Sequence, residues 1–257
     1  MTITIAIANR KGGVGKTTTA VTVATYLAAH GRHVVLVDFD AQGHCAAYLG
    51  LEPADSVFNV LVSGAKPAGE LAAWNSHGNL RVLRGARATA DAKTLLAVKG
   101  LPPSKALRSL FDPLRALAPD YILVDTSPTE DNLSAAILFN CDFVLCPVEC
   151  EFLALDGLRQ LSTSIQELRD EYRARVRLLG VVPQMLEARS GEHSRNLALL
   201  AEVYGGLVYP PISKATVMRE SVTVGRPIWE SAPASKVAGE YETMIQRMLK
   251  DTGADHD

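Results

Sequence analysis

Arg10-Lys11-Gly12-Gly13-Val14-Gly15-Lys16-Thr17-Thr18 stands between an apolar, β-branched run at residues 3–8 and a helical pattern at 17–30. Glycines at positions 12, 13 and 15 let the backbone fold so tightly that successive N–H groups converge on one anion. The helix that follows adds the partial positive charge of its N-terminus. Lys16 is placed to reach β- and γ-phosphates, and the Thr17 hydroxyl to ligate Mg²⁺. A glycine-rich turn that only solved a packing problem would need no Gly-Lys-Thr at the start of the helix. The pattern therefore predicts a nucleotide site formed by Gly12, Gly13, Val14, Gly15, Lys16, Thr17 and Thr18, set on a strand–loop–helix unit of a parallel sheet.

The rest of the chain repeats that unit. Runs at 33–37, 80–83, 121–124, 143–147 and 176–182 read as strands, several almost wholly apolar, as strands covered on both faces require. Helical patterns at 90–97, 104–117, 133–139, 155–172, 193–204 and 235–250 accompany them. The fold class expected is α/β, a single-domain P-loop NTPase with a mostly parallel central sheet covered by helices on both faces. Residues 1–250 form the expected domain and 251–257 an acidic tail. With 257 residues, 47% of them hydrophobic, and a formal net charge of −2, the chain is neither disordered nor a wholly basic nucleic-acid coat. No run of 18 apolar residues or secretory leader is present, so neither a membrane span nor export is expected. Cys45, Cys141, Cys146 and Cys150 then read as free, mostly structural thiols.

Carboxylates fall where phosphate chemistry needs them. Val37-Asp38-Phe39-Asp40-Ala41-Gln42-Gly43 places two aspartates at the C-terminal end of the second strand, the edge at which open parallel sheets bind ligands. Val124-Asp125-Thr126-Ser127-Pro128 does the same after a later strand, with Asp125 a candidate Mg²⁺ ligand, direct or through water. An acid ending a buried strand can also be only a helix cap. Two such acids beside a phosphate loop favour the metal.

Lys-Gly-Gly-x-Gly-Lys-Thr, with Lys11 ahead of the glycines, resembles the deviant Walker A motif of the ParA/MinD superfamily of dimerising ATPases. The resemblance implies ATP and Mg²⁺ as cofactors and a nucleotide-sandwich homodimer in which Lys11 reaches the partner's phosphates. A second cation there stabilises charge that spreads during phosphoryl transfer. It also implies that Asp40 positions the attacking water, making Lys11, Lys16 and Asp40 the catalytic set, and that Thr17, Asp38 and Asp125 hold the metal. Thr126-Ser127-Pro128 and Ala41 depart mildly from the family pattern.

Two further stretches resemble the small ParA/Soj partition ATPases: Pro147-Val-Glu-Cys-Glu151-Phe-Leu-Ala-Leu-Asp-Gly157, and the segment from Ile212 through Lys214, Arg219 and Gly225 to Ile228. In those relatives the late segment lies near the adenine and contributes to DNA binding, which implies nucleotide contacts for Pro211 and Ile212 and DNA contacts for Lys214 and Arg219. Val217 replaces one arginine of that pattern. MinD-type relatives end in an amphipathic membrane helix; this chain ends Lys250-Asp-Thr-Gly-Ala-Asp-His-Asp, with acids where anionic lipid would demand lysine or arginine. No membrane partner is expected. Iron-protein relatives hold a cluster through cysteines, and none follows Asp125 before Cys141. The sequence opens at its first strand, so the N-terminal helix-turn-helix region by which longer ParA proteins bind operators is not expected.

Residues 81–115 carry eight basic side chains (Arg81, Arg84, Arg87, Lys93, Lys99, Lys105, Arg108, Arg115) against Asp91 and Asp112. A second basic group spans Arg169–Arg177, with Arg189 and Arg195 beyond it. Such groups are either solvated helix faces or phosphate-contacting patches that bind DNA without reading bases. The reading expected is an ATPase that binds non-specific double-stranded DNA as an ATP dimer and positions a cargo through a ParB-like or other adaptor. It would be cytoplasmic and nucleoid-associated. A MinD-like membrane-cycling regulator and a metallocluster carrier are the alternatives.

Overall fold

The computed structural model describes residues 2–74, 78–99, 107–128, 132–151 and 154–253. Strands β1 (Ile3–Ile7), β2 (Val34–Asp38), β3 (Leu71–Ala73), β4 (Leu80–Leu83), β5 (Tyr121–Asp125), β6 (Phe143–Glu149) and β7 (Arg177–Gln184) form one sheet in the order β3-β4-β2-β5-β1-β6-β7. All neighbours are parallel except the edge pair β3 and β4.

Alternation along each strand sends successive side chains to opposite faces. Ala6, Val35, Val37, Ile122 and Val124 enter one apolar cluster; Ile5, Ile7, Val34, Leu36, Tyr121 and Leu123 enter the other. The first cluster is covered by α3 (Ser56–Leu61), α5 (Ala88–Lys99), α6 (Arg108–Ala116), α7 (Asn132–Phe139), α8 (Ala154–Tyr172) and α9 (Gly191–Tyr204). The second is covered by α1 (Lys16–Ala29), α2 (His44–Tyr48), α11 (Ile228–Ser231) and α12 (Lys236–Asp251). Helices α4 (Pro67–Glu70) and α10 (Thr216–Thr223) complete the described set. Sheet and helices thus form the expected three layers. Helix α1 is buried almost all round, the pattern of a helix inside a core rather than on its surface.

The sequence pattern omitted β3 and the short helices α2, α3, α4, α10 and α11. Leu71-Ala72-Ala73 has no β-branched residue and gains its strand geometry only by pairing with β4, in the register Leu71↔Leu83. Helices of four to six residues lack the two turns that a periodic pattern needs to show, and α10, at eight, barely completes them. The helix expected at 104–117 is described from Arg108 to Ala116, and 104–106 lie outside the described residues. Of the expected tail, Asp251 is the last residue of α12, its carboxylate accepting from Tyr209 Oη at 2.7 Å; residues 254–257 lie outside the description.

One glycine fixes how the late segment packs on the sheet. A Cβ on Gly180, within β7, would lie 2.1 Å from the buried ring of Tyr209. Val181 in turn accepts the Tyr209 N–H at 2.8 Å and holds the segment down. Gly180→Ala should destabilise the protein by about 1–3 kcal/mol through overpacking, read as a drop in melting temperature. An unchanged melting temperature would contradict this packing.

Candidate nucleotide and metal site

Parallel register assembles the site. Asp38 pairs with Asp125 across β2 and β5, and Asp125 with Ile7 across β5 and β1. The phosphate loop leaves β1 next to them, so both carboxylates and the loop meet at the C-terminal edge of the sheet. Gly13 and Gly15 take φ of 80° and 86°, the left-handed region that favours glycine. Asn9 organises the loop from below: its Oδ1 accepts the Lys11 N–H at 2.9 Å and its Nδ2 donates to the Pro147 carbonyl at 2.7 Å. Arg10 ties the loop to α8 through Gln160 at 2.8 Å and Ser164 at 2.9 Å.

The helix start carries the chemistry. Lys16 is buried, donates to the Lys11 carbonyl at 2.9 Å, and has its pKa lowered by that burial against the opposing pull of Asp125 and Asp40. Thr17 Oγ1 donates to Asp125 Oδ2 at 2.7 Å. No acid occupies the first turn of α1, so its terminal dipole is open to an anion. Asp38 and Asp125 are fully buried. Asp38 accepts the Asp40 N–H at 2.9 Å and the Cys45 N–H at 3.2 Å. Burial raises Asp38 well above the ordinary carboxylate range, and raises Asp125 to about 6. Asp125 Oδ1 is buried without a hydrogen-bond partner among the described residues. An orphaned carboxylate oxygen beside a second carboxylate and a threonine hydroxyl fits a divalent cation, and the three residues anticipated as metal ligands converge here.

Asp40 sits at the rim, half-buried, its Oδ1 accepting the Gln42 N–H at 3.0 Å. The loop carrying it rests on Gly85, which sequence reading passed over. A Cβ there would meet the Asp38 carbonyl at 2.4 Å and the Asp40 carbonyl at 2.7 Å. Gly43 makes a similar approach from the other side, with a Cβ position 2.6 Å from the Gly85 carbonyl. An isolated glycine after a strand announces such a contact only once the fold is known.

Lys11 points away from its own loop. Its ammonium contacts Glu149 Oε2 at 2.6 Å and Glu151 Oε2 at 2.5 Å, and these bonds raise its pKa. Neither glutamate was singled out as a site residue, although both stand in the Pro147–Gly157 stretch quoted above. Ile212 is buried in the second apolar cluster while Pro211 is partly exposed. The isolated bridge Leu186↔Ser213 lays the segment leading to Arg189 beside Lys214. Lys214 is paired with Glu187 at 2.5 Å; Arg189, Arg195 and Arg219 are exposed. The 81–115 group is less uniform than its composition suggests: Arg84 donates to the Glu52 carbonyl at 2.8 Å, and Arg115 bonds Asp112 and the Asn140 carbonyl. The side chains of Lys93, Lys99 and Lys105 lie outside the description. All four cysteines are free and buried.

Comparison with known proteins gives the family. A family profile described as an AAA domain matches residues 2–178. The chain is 33% identical over 231 residues to the chromosome partitioning protein ParA of Caulobacter vibrioides, covering 87% of this chain and 85% of that one. It belongs to the ParA family of P-loop ATPases. Among solved structures, the ATP complex of an Asp-to-Ala variant of McdA from Cyanothece superposes with a TM-score of 0.85 at 21% identity, covering 98% of this chain and 96% of that one. Cobyrinic acid a,c-diamide synthase from Mycobacterium smegmatis, with bound ADP and magnesium, superposes at 0.82 with 27% identity, covering 99% and 96%. Solved neighbours of this fold thus hold ATP in one case and ADP with magnesium in the other. Among the described residues, no helix is long and apolar enough to cross a membrane.

The raised carboxylates set a pH dependence. The folded state keeps a proton on Asp125 up to about pH 6, whereas the unfolded chain releases it near 3.8. Between those values the folded state binds more protons, so this contribution to stability falls as pH rises. The melting temperature of nucleotide-free Asp125→Asn should fall less steeply than that of the native chain between pH 4 and 6. Identical slopes would contradict the burial assigned to Asp125.

Proposed function

We propose that this chain is an Mg²⁺-dependent, dimerising ATPase that binds DNA non-specifically in its ATP state and positions or segregates a cargo, with hydrolysis releasing the dimer. The observation that supports it most is Lys11. A lysine that completed its own phosphate site would lie with Lys16 along the loop; Lys11 is instead held outward by two glutamates at the sheet edge. Its side chain is 41% exposed and that of Glu151 52%, so the clasp is an exposed ion pair, worth about 1 kcal/mol at most. A triphosphate presented by a second subunit carries more charge than either glutamate and outcompetes it.

Each remaining residue has a task. The loop N–H groups and Lys16 bind the phosphates, and the open terminus of α1 adds its dipole. Thr17, Asp38 and Asp125 would hold Mg²⁺, whose charge would offset that of the phosphates and of the two aspartates. Asp40, at the rim, orients the attacking water. Pro211 and the backbone of Ile212 border the base. Lys214, Arg189, Arg195 and Arg219 contact DNA phosphates, Lys214 after exchanging Glu187 for them. Such contacts are salt-sensitive and blind to sequence, and a homodimer doubles them, so ATP controls DNA affinity through multivalency. A ParB-like or cargo-specific adaptor stimulates hydrolysis, and the protein is cytoplasmic and nucleoid-associated. The cargo is a chromosome, a plasmid or a protein assembly.

Lys16→Ala should abolish nucleotide binding or turnover. Lys11→Ala should retain much of the binding but lose dimerisation or hydrolysis. Unchanged turnover in both variants would overturn the site assignment. In the Asp40→Ala protein, DNA binding across a salt series should be strong with ATP, weak with ADP, and decline steeply with salt. Equal binding with either nucleotide would refute the switch.

A further inference from the structure

A thiol stands inside the carboxylate pair. Cys45 is the second residue of α2 and is fully buried. Its N–H reaches Asp38, and its Sγ lies 3.4 Å from Asp125 Oδ2. A carboxylate oxygen of Asp38, the Cys45 sulfur and a carboxylate oxygen of Asp125 all lie within 4.8 Å of one another. The orphaned Asp125 Oδ1 is a separate sign of a missing ligand, because a buried acceptor without a donor is costly to leave so.

Ligand hardness distinguishes the ions that satisfy this arrangement. Mg²⁺ takes oxygen and gains nothing from sulfur. Zn²⁺, and Co²⁺ as its spectroscopic substitute, accept a cysteine sulfur at about 2.3 Å and carboxylate oxygens at about 2.0–2.2 Å. Tetrahedral bonds of those lengths separate ligands by about 3.5 Å, so the triangle must contract by little more than about an ångström. Thr17 Oγ1 lies 2.7 Å from Asp125 Oδ2, against the same carboxylate.

We propose that Asp38, Cys45 and Asp125 form a site for a thiophilic divalent metal, one that fills without nucleotide and excludes Mg²⁺ from the same carboxylates. Binding replaces the thiol proton, and any proton held by the two carboxyl groups, with the metal and releases them to solvent; no bond is oxidised or reduced. The inference shares two residues with the proposed Mg²⁺ site, but its test needs neither ATP nor turnover.

Co²⁺ titrated into the nucleotide-free full chain should produce a thiolate-to-cobalt charge-transfer band in the near ultraviolet at one metal per chain. The band should be lost in both Cys45→Ser and Cys45→Ala, with folding of each verified by its melting temperature. Cys141, Cys146 and Cys150 remain in both variants as internal controls. A band that survives in the folded variants, or no band in the native chain, overturns the site. A Cys45-dependent band in a protein without ATPase activity would uphold this inference and count only against the proposed function.

Discussion

The site depends on the in-register pairing of β2 with β5, which sets Asp38 beside Asp125 at the buried edge of the sheet. Adjacent strands are about 4.8 Å apart. Two ionised carboxylates about 5 Å apart repel by roughly 3 kcal/mol at an effective dielectric of about 20, before either pays its desolvation. The apolar strands around them hold the pair in place, because a slip of one residue would turn every side chain of the strand to the wrong face. The core therefore imposes an electrostatic conflict that a proton or a cation resolves. Burial at that edge raises both acids, Asp38 also through the neighbouring Asp125, and leaves the Asp125 Oδ1 without a donor.

A second tension lies at the surface. Lys11 and Lys16 leave the same short loop but have opposite environments: one buried against the loop backbone, the other outside between two glutamates. In the proposed function, burial commits Lys16 to the nucleotide of its own subunit. Exposure leaves Lys11 available, since water and salt weaken what holds it. That difference in solvation is the physical basis for assigning one lysine to the resident phosphates and the other to a partner's.

Much of this was legible in the residues. The phosphate loop announces itself because glycine spacing, a preceding strand and Lys-Thr at a helix start are local requirements that local sequence must meet. Asp38 and Asp125 were legible for the same reason: each ends an apolar run. What escaped was set by contacts between distant segments. Gly85 matters because the Asp38–Asp40 backbone passes over it, and Glu149 and Glu151 because β6 ends beside the loop that leaves β1. Cys45 looked like one more structural thiol until the fold set it against Asp125. The basic stretch at 81–115 stayed open between two readings, since composition does not show that Arg84 and Arg115 are engaged with backbone carbonyls.

The central claim is that bound ATP draws Lys11 from its glutamates into a second subunit. Light scattering on the Asp40→Ala protein measures it directly, because that variant should hold ATP without consuming it. The account predicts twice the 27.6 kDa monomer mass with ATP and Mg²⁺, the monomer with ADP, and the monomer in both states once Lys11→Ala is added. A monomer with ATP, or a dimer that persists without Lys11, would contradict it.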